Sequence, residues 1–313
     1  MHRDAAGVDV EVLEDDASAA AVGEWLAIRN ALDVRAISAE TFALRRAAEV
    51  AALRLGARVH GQLVGIGAAI WDVVRQGTGE ATIQIWVLPE HRAAGIGSTL
   101  WTRLTVFARA HEMRVVAARV IADDPASLHF AERRGLKAAG IQRLGILELD
   151  GAHALRTPQD VPGISIRSIA DHPELRRAVY DHLVSVLPEV PSWGDTPLPS
   201  FEAWQAMIAE PAYRSDLSLI ALDGDTVVGQ IEVDDDGEQR AFIGMLTVAP
   251  TARRRGIARA LKEELAHRAA VAGCTALVTV NDGTNDAIRR LNEQLGYRYL
   301  PEVFLLHGPV PSA

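Results

Sequence analysis

The chain has 313 residues, about twice the length of an ordinary domain, so we expect two domains. Its formal net charge of −9 disfavours nucleic acid, whose phosphates would be repelled, and mildly favours cationic small molecules as partners. The single cysteine, Cys274, excludes a disulfide framework, and no histidine has the spacing of a metal ligand. We find no apolar run that could span a membrane and no signal-peptide pattern, so we expect a cytoplasmic protein without a metal or a membrane partner.

The first half, residues 1–150, predicts a strand, two helices, three strands, a helix, a strand, a helix and a strand. Residues 8–12 alternate between apolar and polar side chains, as a strand does, and residues 18–31 have a helical pattern. Residues 58–65 predict a hairpin. We take this half as the first domain.

Residues 151–162 are rich in turn formers and predict a linker, so the second domain would comprise residues 163–313. The same order of elements recurs there. The Asp223-Gly224 pair suits a tight hairpin turn, and Gly296 stands where a helix would end. The remaining segments are a strand over 164–167, helices over 171–187, 257–272 and 286–295, and a strand over 276–280.

An internal repeat relates the two halves. From Val87/Val248 to Gly135/Gly296, matching residues are separated by 161 positions without a gap. Chance similarity between alanine-rich segments would not keep one register across a strand, a loop, a helix and a second strand. The chain is therefore predicted to contain the same fold twice.

The repeated loop follows a strand and opens a long helix. It contains Arg92, Gly95 and Gly97 in the first half, and Arg253, Gly256 and Ala258 in the second. The first N–H groups of a helix lack partners within the helix, and a glycine lets backbone approach a phosphate closely. Together with a permanent arginine charge, this pattern predicts a cradle for an anion. Neither copy has the lysine of a Walker loop or the full glycine set of a dinucleotide fingerprint.

On these residues the chain resembles the tandem-domain members of the GCN5-related N-acetyltransferase (GNAT) superfamily. The resemblance implies an α/β (α+β) fold with two tandem GNAT domains, each a mixed, mostly antiparallel twisted sheet flanked by helices. It implies acetyl-CoA (coenzyme A) as the cofactor. The coenzyme-binding residues would be Val87, Leu88, Arg92, Ala93, Ala94, Gly95, Ile96, Gly97 and Ser98, and Val248, Arg253, Arg254, Arg255, Gly256, Ile257 and Ala258.

The resemblance also implies that a small-molecule amine attacks the thioester directly. The family often has a tyrosine that protonates the leaving thiolate, but here Ala131 and Asn292 stand at that position. The second half keeps the family's asparagine, Asn285, so we expect it to be the better catalytic candidate. Its predicted catalytic residues are Asn285, Asn292 and, as a general base, Glu232. Glu80 is the corresponding candidate base in the first half.

Trp193 and Glu189 lie on a proline-rich connection that the resemblance places over the acceptor pocket, where they would suit a cationic amine. A proline-stiffened surface loop is the simpler alternative. We interpret residues 234–236 as a hairpin turn and Cys274 as a core residue. Trp71, Trp86 and Trp101 are expected to pack in a core or between domains rather than against a ligand.

Two functions are compatible with this sequence. The first is an acetyl-CoA-dependent N-acetyltransferase that acts on a small amine. The second is a non-catalytic or regulatory acyl-CoA-binding protein, suggested by the missing tyrosine in both halves. A monomer with pseudo-dimeric halves and a homodimer are both open.

Overall fold

The computed structural model describes residues 2–3, 8–14, 16–33, 36–47, 49–72, 78–189 and 200–312. The chain divides into two compact units. Unit 1 comprises Met1–Gln142 and Pro301–Ala313, and unit 2 comprises Arg143–Leu300. In the part of the chain that is described, no helix is both long and apolar enough to cross a membrane.

The elements of the first half follow the predicted order, preceded by a two-residue strand. The strands are β1 (His2–Arg3), β2 (Asp9–Val12), β3 (Glu49–Val59), β4 (Gln62–Asp72), β5 (Glu80–Val87), β6 (Val115–Ile121) and β7 (Lys137–Glu148). The helices are α1 (Ala19–Leu32), α2 (Ala39–Ala47), α3 (Ile96–Ala110) and α4 (Pro125–Glu132). A short 3-10 turn, Pro89–His91, lies between β5 and α3.

The second half repeats this order with two additions. Its helices are α5 (Gly151–Leu155), α6 (Arg176–Val186), α7 (Phe201–Met207), α8 (Ile257–Val271) and α9 (Asp286–Gln294). Its strands are β8 (Ile164–Ser168), β9 (Leu219–Asp223), β10 (Thr226–Asp235), β11 (Arg240–Val248), β12 (Ala276–Asp282), β13 (Arg298–Tyr299) and β14 (Val303–Pro309). The additions are one short helix, α5, and one two-residue strand, β13.

The sheet of unit 1 is antiparallel except where β5 meets β6. Strands β1 to β5 pair in sequence order, and β14 pairs with β6. The parallel pairing of β5 with β6 covers only three residue pairs, from Glu80↔Val115 to Thr82↔Ala117. Strand β5 nevertheless stays paired with β4 as far as Val87. The two parallel strands therefore diverge beyond Thr82.

The sheet of unit 2 has the same design, with β8 to β11 antiparallel and β11 parallel to β12. Parallel pairing ends at Ile243↔Thr279. The β10–β11 register shifts at the same point, because Glu232 pairs with Met245 and Val233 pairs with Ile243, which leaves Gly244 as an extra residue. These two mixed, mostly antiparallel sheets with helices packed on them confirm the predicted fold class.

Strand β14 joins the sheet of unit 1, although it follows all of unit 2 in the sequence. It pairs with β6 from Val303↔Ile121 to Pro309↔Val115, and with β7 from Val303↔Gln142 to His307↔Lys137. The compact units therefore end at different residues from the predicted domains, which run over 1–150 and 163–313. Strand pairing over a long sequence separation accounts for the difference.

Each unit has apolar side chains on both faces of its sheet. In unit 1, α3 packs on one face through Leu100 and Leu104, and α1 packs on the other through Trp25 and Leu26. In unit 2, α8 packs through Leu261 and Leu265. Each fully buried leucine contributes about 1.5–3 kcal/mol to the free energy of unfolding. The helical 3.6-residue period thus places the helix that follows each repeated loop firmly against its sheet.

The local predictions are largely confirmed. The turn at Gly224 has a positive φ of 59°, and Gly296 follows α9 with a φ of 92°. The interpretation of residues 234–236 as the hairpin turn itself is wrong, because Asp234 and Asp235 belong to β10 and pair with Phe242 and Ala241. The turn follows at Gly237, whose N–H donates to the Asp235 carboxylate. Cys274 is buried in the core of unit 2. Helix α6 begins five residues later than predicted, at Arg176, because a 3-10 turn with Pro173 precedes it.

One core position of unit 2 holds a lysine. Lys262 on α8 is only 2% exposed, and its Nζ lies 3.4 Å from the Tyr297 hydroxyl and 4.5 Å from the centre of the Tyr297 ring. Burial lowers the pKa of this ammonium group to about 7. Its charged form is therefore costly in the folded state.

We predict that a side chain at Gly308 destabilises unit 1. A Cβ there would lie 2.6 Å from the Gly135 carbonyl oxygen, so β14 or the turn before β7 must move. Gly308→Ala should lower the free energy of unfolding by roughly 1–3 kcal/mol, measured by urea denaturation. Gly140→Ala on β7 is the control, since its Cβ would meet Leu305 at an ordinary 3.7 Å. An equal effect of the two substitutions would contradict the steric explanation.

We also predict that Lys262→Met stabilises the protein. An unfolded lysine has a pKa of about 10.4, so between pH ~7 and ~10 the unfolded state binds a proton that the folded state does not. The wild-type free energy of unfolding should therefore rise with pH over this window, with the full cost of burial present below it. The substitution should add roughly 1–3 kcal/mol at pH 7 and remove that rise. Lys137→Met, at an exposed position on β7, is the control, and destabilisation by Lys262→Met would contradict the prediction.

Candidate functional site

The two repeated loops have almost the same backbone. Ala93 and Gly95 have positive φ angles of 61° and 85°, and Arg254 and Gly256 have angles of 67° and 91°. Each glycine is the N-cap residue, immediately before the helix that follows the loop. A positive φ at every second residue before a helix N-terminus turns several backbone N–H groups toward one point, as an anion site requires.

The first arginine of each loop is fixed in the same way. The Nε of Arg92 donates to the Val87 carbonyl at 3.2 Å, and the Nε of Arg253 donates to the Val248 carbonyl at 3.2 Å. This bond ties each loop to the end of the strand before it and leaves the outer guanidinium nitrogens for other contacts. The predicted cradle is therefore present twice as a backbone structure.

In unit 1 the loop opens onto a cavity of about 550 Å³. The cavity follows the gap between β5 and β6 that opens beyond Thr82, and α3 and α4 close its other side. Its lining includes Ile83, Gln84, Trp86 and Val87 from β5, Ala118, Arg119 and Ile121 from β6, Arg92, Gly95, Gly97 and Ser98 from the loop and α3, and Phe130, Ala131, Arg133 and Arg134 at α4.

The wall of this cavity is strongly basic. Arg134 donates to the Phe130 carbonyl at 2.9 Å and to the Ser98 hydroxyl at 2.8 Å, and its guanidinium lies 3.4 Å from the centre of the Phe130 ring. Burial and the neighbouring charge of Arg133 lower the pKa of Arg134. Because the guanidinium groups of Arg133 and Arg134 lie close together and repel each other, an anion bound in the cavity would be favourable.

Helices α3 and α4 approach closely beside the loop. A Cβ at Gly97 would lie 3.1 Å from the Phe130 ring, so a larger residue would push α4 away. The Asp124 carboxylate caps α4 by accepting from the Ser127 N–H at 3.0 Å, and it also lies 3.3 Å from Arg92. Burial opposes its ionisation, but the hydrogen bonds from Ser127 and the charge of Arg92 prevail and lower its pKa. Asp124 thus connects the arginine of the loop to the start of α4.

In unit 2, different side chains stand at the positions that line this cavity. Trp101, Ala131 and Leu136 of unit 1 correspond, at the 161-residue offset, to Lys262, Asn292 and Tyr297. These three side chains are 2%, 0% and 5% exposed. Asn292 donates to the Asn281 side chain at 2.9 Å and to the Tyr299 hydroxyl at 3.0 Å. The corresponding side chains of unit 1 are 8%, 4% and 2% exposed, so the two copies differ here in polarity: unit 2 has a buried polar network where unit 1 has apolar side chains.

The charges around the second loop also differ. Arg253 forms an ion pair with Glu189 at 2.7 Å, and Arg255 forms one with Asp223 at 2.6 Å. A Cβ at Gly256 would lie 3.4 Å from the Gln159 amide nitrogen, whereas no atom lies within 4 Å of one built at Gly95. At the positions of Arg119, Arg133 and Arg134 the second half has Val280, Gln294 and Leu295.

Unit 2 has an acidic cluster on the sheet face that α6 and α7 cover. Glu232 accepts from the Trp204 indole at 3.4 Å and from the Gln230 amide at 3.2 Å. Burial, supported by the charge of Asp234, raises the pKa of Glu232 to about 7, and burial raises that of Asp234 to about 6. Glu232 therefore has the proton affinity of a general base at neutral pH.

Two of the predicted catalytic residues have structural contacts. The Asn285 side chain caps α9 by accepting from the Ile288 N–H at 3.2 Å, which is the contact that Asp124 makes in unit 1. Asn292 belongs to the buried network described above. Glu80 lies at the start of β5, in the part still paired with β6, and 3.7 Å from His307. None of these three lies in the diverging part of a parallel strand pair.

The predicted coenzyme residues of unit 1 separate into two groups. Val87, Arg92, Ala93, Gly95, Gly97 and Ser98 line the cavity. Ile96, Leu88 and Ala94 do not line it: Ile96 is buried under the loop, Leu88 packs against the apolar cluster beneath α1, and Ala94 is exposed. Of the predicted acceptor residues, Glu189 pairs with Arg253, and Trp193 lies outside the described residues.

Sequence reasoning missed several residues of the cavity, namely Arg119, Phe130, Arg133 and Arg134, and it assigned Trp86 and Trp101 to packing alone. Both tryptophans do pack in the core and also line the cavity. A signal was available. When the halves are aligned at the constant offset, Arg119, Arg133 and Arg134 correspond in sequence to Val280, Gln294 and Leu295. Charged residues that the other copy lacks mark a feature of one half alone.

Comparisons with known proteins agree with this architecture. A curated relative, the mycothiol acetyltransferase of Geodermatophilus obscurus, is 30% identical over 202 residues, which is 61% of this chain and 62% of that protein. A solved GCN5-related N-acetyltransferase from Sphaerobacter thermophilus superposes with a TM-score of 0.77 at 18% identity, covering 98% of this chain and 96% of the other. A tandem GNAT protein from the clavulanic acid biosynthesis pathway superposes with a TM-score of 0.73 at 20% identity, covering 98% and 99%.

The family model described as Acetyltransferase (GNAT) family matches residues 19–136 and again residues 174–297. The two matches together span well over half of the chain, and each falls on one copy of the repeat. The chain therefore belongs to the GNAT acetyltransferase family, with one copy of the fold in each half.

Proposed function

We propose that the protein is an acetyl-CoA-dependent N-acetyltransferase for a small-molecule amine, and that the coenzyme binds in the cavity of unit 1. The observation that supports this placement is the cavity of about 550 Å³ between β5 and β6, with the loop at its mouth and arginines along its wall. The volume lies within the range of roughly 300–1,000 Å³ that is usual for small-molecule sites.

The residues of unit 1 fit the coenzyme's phosphates. Arg92 lies at the loop, and Arg133 and Arg134 line the cavity at the end of α4. Guanidinium groups and the N-terminus of α3 would together neutralise a pyrophosphate. Arg134 is held in place by Ser98 and Phe130, so little side-chain entropy would be lost when the phosphates bind.

The diverging strand fits the remainder of the coenzyme. On the side that faces β6, β5 has no parallel partner after Thr82, so the backbone groups of residues 83–86 that point to this side would pair with an extended amide chain. Acetyl-CoA supplies an activated thioester. Backbone N–H groups of β5 would stabilise the oxyanion that forms when an amine attacks its carbonyl.

The proton that restores the thiol has no side-chain donor at the position where the family often has tyrosine. Ala131 is buried there and cannot transfer a proton. We infer that water serves as the acid in unit 1. The missing donor also favours the second candidate, a non-catalytic acyl-CoA-binding protein, which would bind the coenzyme without turnover.

This placement reverses our expectation that the second half is the better catalytic candidate. The loop backbone of unit 2 is intact, but Lys262, Asn292 and Tyr297 occupy the positions of the cavity wall. Glu232 has the pKa of a base but belongs to unit 2, away from the arginine-lined cavity. We therefore assign unit 2 a supporting role rather than a second coenzyme site.

We predict one coenzyme molecule bound per chain. Gly95→Asp should weaken coenzyme A binding at least 30-fold, because it adds a negative charge and a side chain at the open cradle. Gly256→Asp is a matched control, since both glycines have positive φ angles near 90° and both substitutions carry similar backbone strain. It should change the affinity by less than threefold. Isothermal titration calorimetry gives both the affinity and the number of sites, and two equivalent sites would contradict the placement.

We also predict that acetyl-CoA turnover depends on an amine. A panel of primary amines should release free thiol in a colorimetric assay at rates well above hydrolysis without amine, and mass spectrometry should show an added acetyl group on the amine. Gly95→Asp should abolish this release, and Gly256→Asp should not. Coenzyme binding without turnover for any amine would instead support the non-catalytic acyl-CoA-binding protein.

A further inference from the structure

The two faces of the sheet in unit 1 carry different side chains where β5 and β6 diverge. Ile83, Ile85 and Val87 of β5, and Ala118 and Val120 of β6, pack toward α3. Side chains alternate along a strand, so Gln84, Trp86 and Arg119 face the opposite side, toward α1. Trp86 packs there against the cluster of Trp25 and Leu26, which confirms the assignment.

Arg119 lies close to the point of divergence. It is the second residue of β6 after Ala117, which forms the last parallel pair, and it lines the cavity together with Gln84 and Trp86. The cavity is therefore open to the α1 face at the point where an amine would have to meet the thioester.

A second arginine lies on α1, beside the Trp86 ring. Arg29 on α1 is 8% exposed, and its guanidinium lies 5.8 Å from the centre of the Trp86 ring. It donates to the Asn30 side chain at 2.9 Å and lies 3.5 Å from the Asp33 carboxylate. Burial, together with the charge of Arg119, lowers the pKa of Arg29, although Asp33 opposes this. Arg29 and Arg119 thus act on the same small region, and the Asp33 carboxylate offsets part of the charge of Arg29.

The corresponding face of unit 2 has the opposite character. Val280 stands at the position of Arg119 and Thr247 at the position of Trp86. Two carboxylates lie there, Glu232 beside Trp204 and Asp234 near Glu232. The basic face of unit 1 is therefore a property of that copy and not of the repeated fold.

We propose that the acceptor amine of unit 1 carries a carboxylate, which Arg119 binds at the α1 face while Arg29 reinforces the positive potential through Trp86. This inference rests on the proposed function and specifies its substrate class. A guanidinium can bind a carboxylate through two parallel hydrogen bonds, which fixes orientation as well as charge. The same arginines would repel a polyamine, so the negative net charge of the whole chain does not describe this site.

The test compares acceptors that differ in the carboxylate. Phenylalanine is paired with phenethylamine, tryptophan with tryptamine, and lysine with cadaverine. Wild-type protein should have a kcat/KM at least tenfold higher for the acid of the best pair. Arg119→Gln should reduce that ratio about tenfold or more, mainly through KM, which is the usual effect of losing one charge-assisted hydrogen-bonded pair. Arg119→Lys should restore part of the ratio, because it restores the charge without the planar fork.

Comparing ratios between variants cancels the difference in amine pKa within each pair. Arg114→Gln is the control, since Arg114 is exposed just before β6, away from the divergence, and it should leave the ratio unchanged. An equal fall for acid and amine in Arg119→Gln would overturn the inference and assign Arg119 to the coenzyme or the leaving thiolate. A preference of wild-type protein for the decarboxylated amines would also overturn it.

Failure of the proposed function would appear differently. If no amine in the panel is acetylated, the same pairs are titrated calorimetrically into protein saturated with coenzyme A. Binding of the acids that is weakened by Arg119→Gln would support the carboxylate site although the acetyltransferase had failed. No binding of any acid would overturn the inference. Acetylation confined to amines without a carboxylate would preserve the acetyltransferase and overturn the inference alone.

Discussion

The early end of parallel pairing between β5 and β6 is the constraint on which the candidate site depends. Backbone N–H and C=O groups that lose a strand partner must be satisfied by something else. After Thr82 those of β5 face a gap that the loop, α3 and α4 enclose as a cavity. Unit 2 has the same divergence after Ile243, and there the bulge at Gly244 and a buried network of polar side chains accompany it. One backbone design thus carries an arginine-lined cavity in unit 1 and a buried polar network at the corresponding positions of unit 2.

The sequence predicts the order of elements and the position of both loops because these depend on short-range patterns. Alternation marks the strands, helical periodicity marks α8, and the arginine and glycines of each loop act within a few residues of one another. The state of the cleft depends on contacts across a longer span, such as Lys262 with Tyr297, which are 35 residues apart. The pairing of β14 with β6 joins segments nearly two hundred residues apart, and no local pattern specifies it. A motif predicts a catalytic role for Asn285, and the structure adds that its side chain caps α9.

Because the chain is duplicated, the loop motif occurs twice, although we propose only one coenzyme site. An anion cradle made of N–H groups is a property of the backbone, and both loops keep it with nearly the same φ angles. Whether a ligand can reach the cradle is a property of side chains from other elements, and these have diverged. Both loops have an ion-paired arginine, Arg92 with Asp124 and Arg253 with Glu189. Arg133 and Arg134 add further charge near the first loop, where the second half has Gln294 and Leu295. Electrostatics and packing, rather than the motif, therefore distinguish the two copies.

The placement of β14 has a consequence for the order of events during synthesis. The ribosome makes the elements from β1 to β6 first, but β6 obtains its antiparallel neighbour only when residues 303–309 have emerged, after all of unit 2. Unit 2 contains its own strands within one continuous segment and has no such delay. During translation the nascent unit 1 therefore exposes one edge of β6, a surface prone to pairing with other chains, for as long as the ribosome needs to complete unit 2. Cotranslational folding should thus begin at the first half and finish there as well.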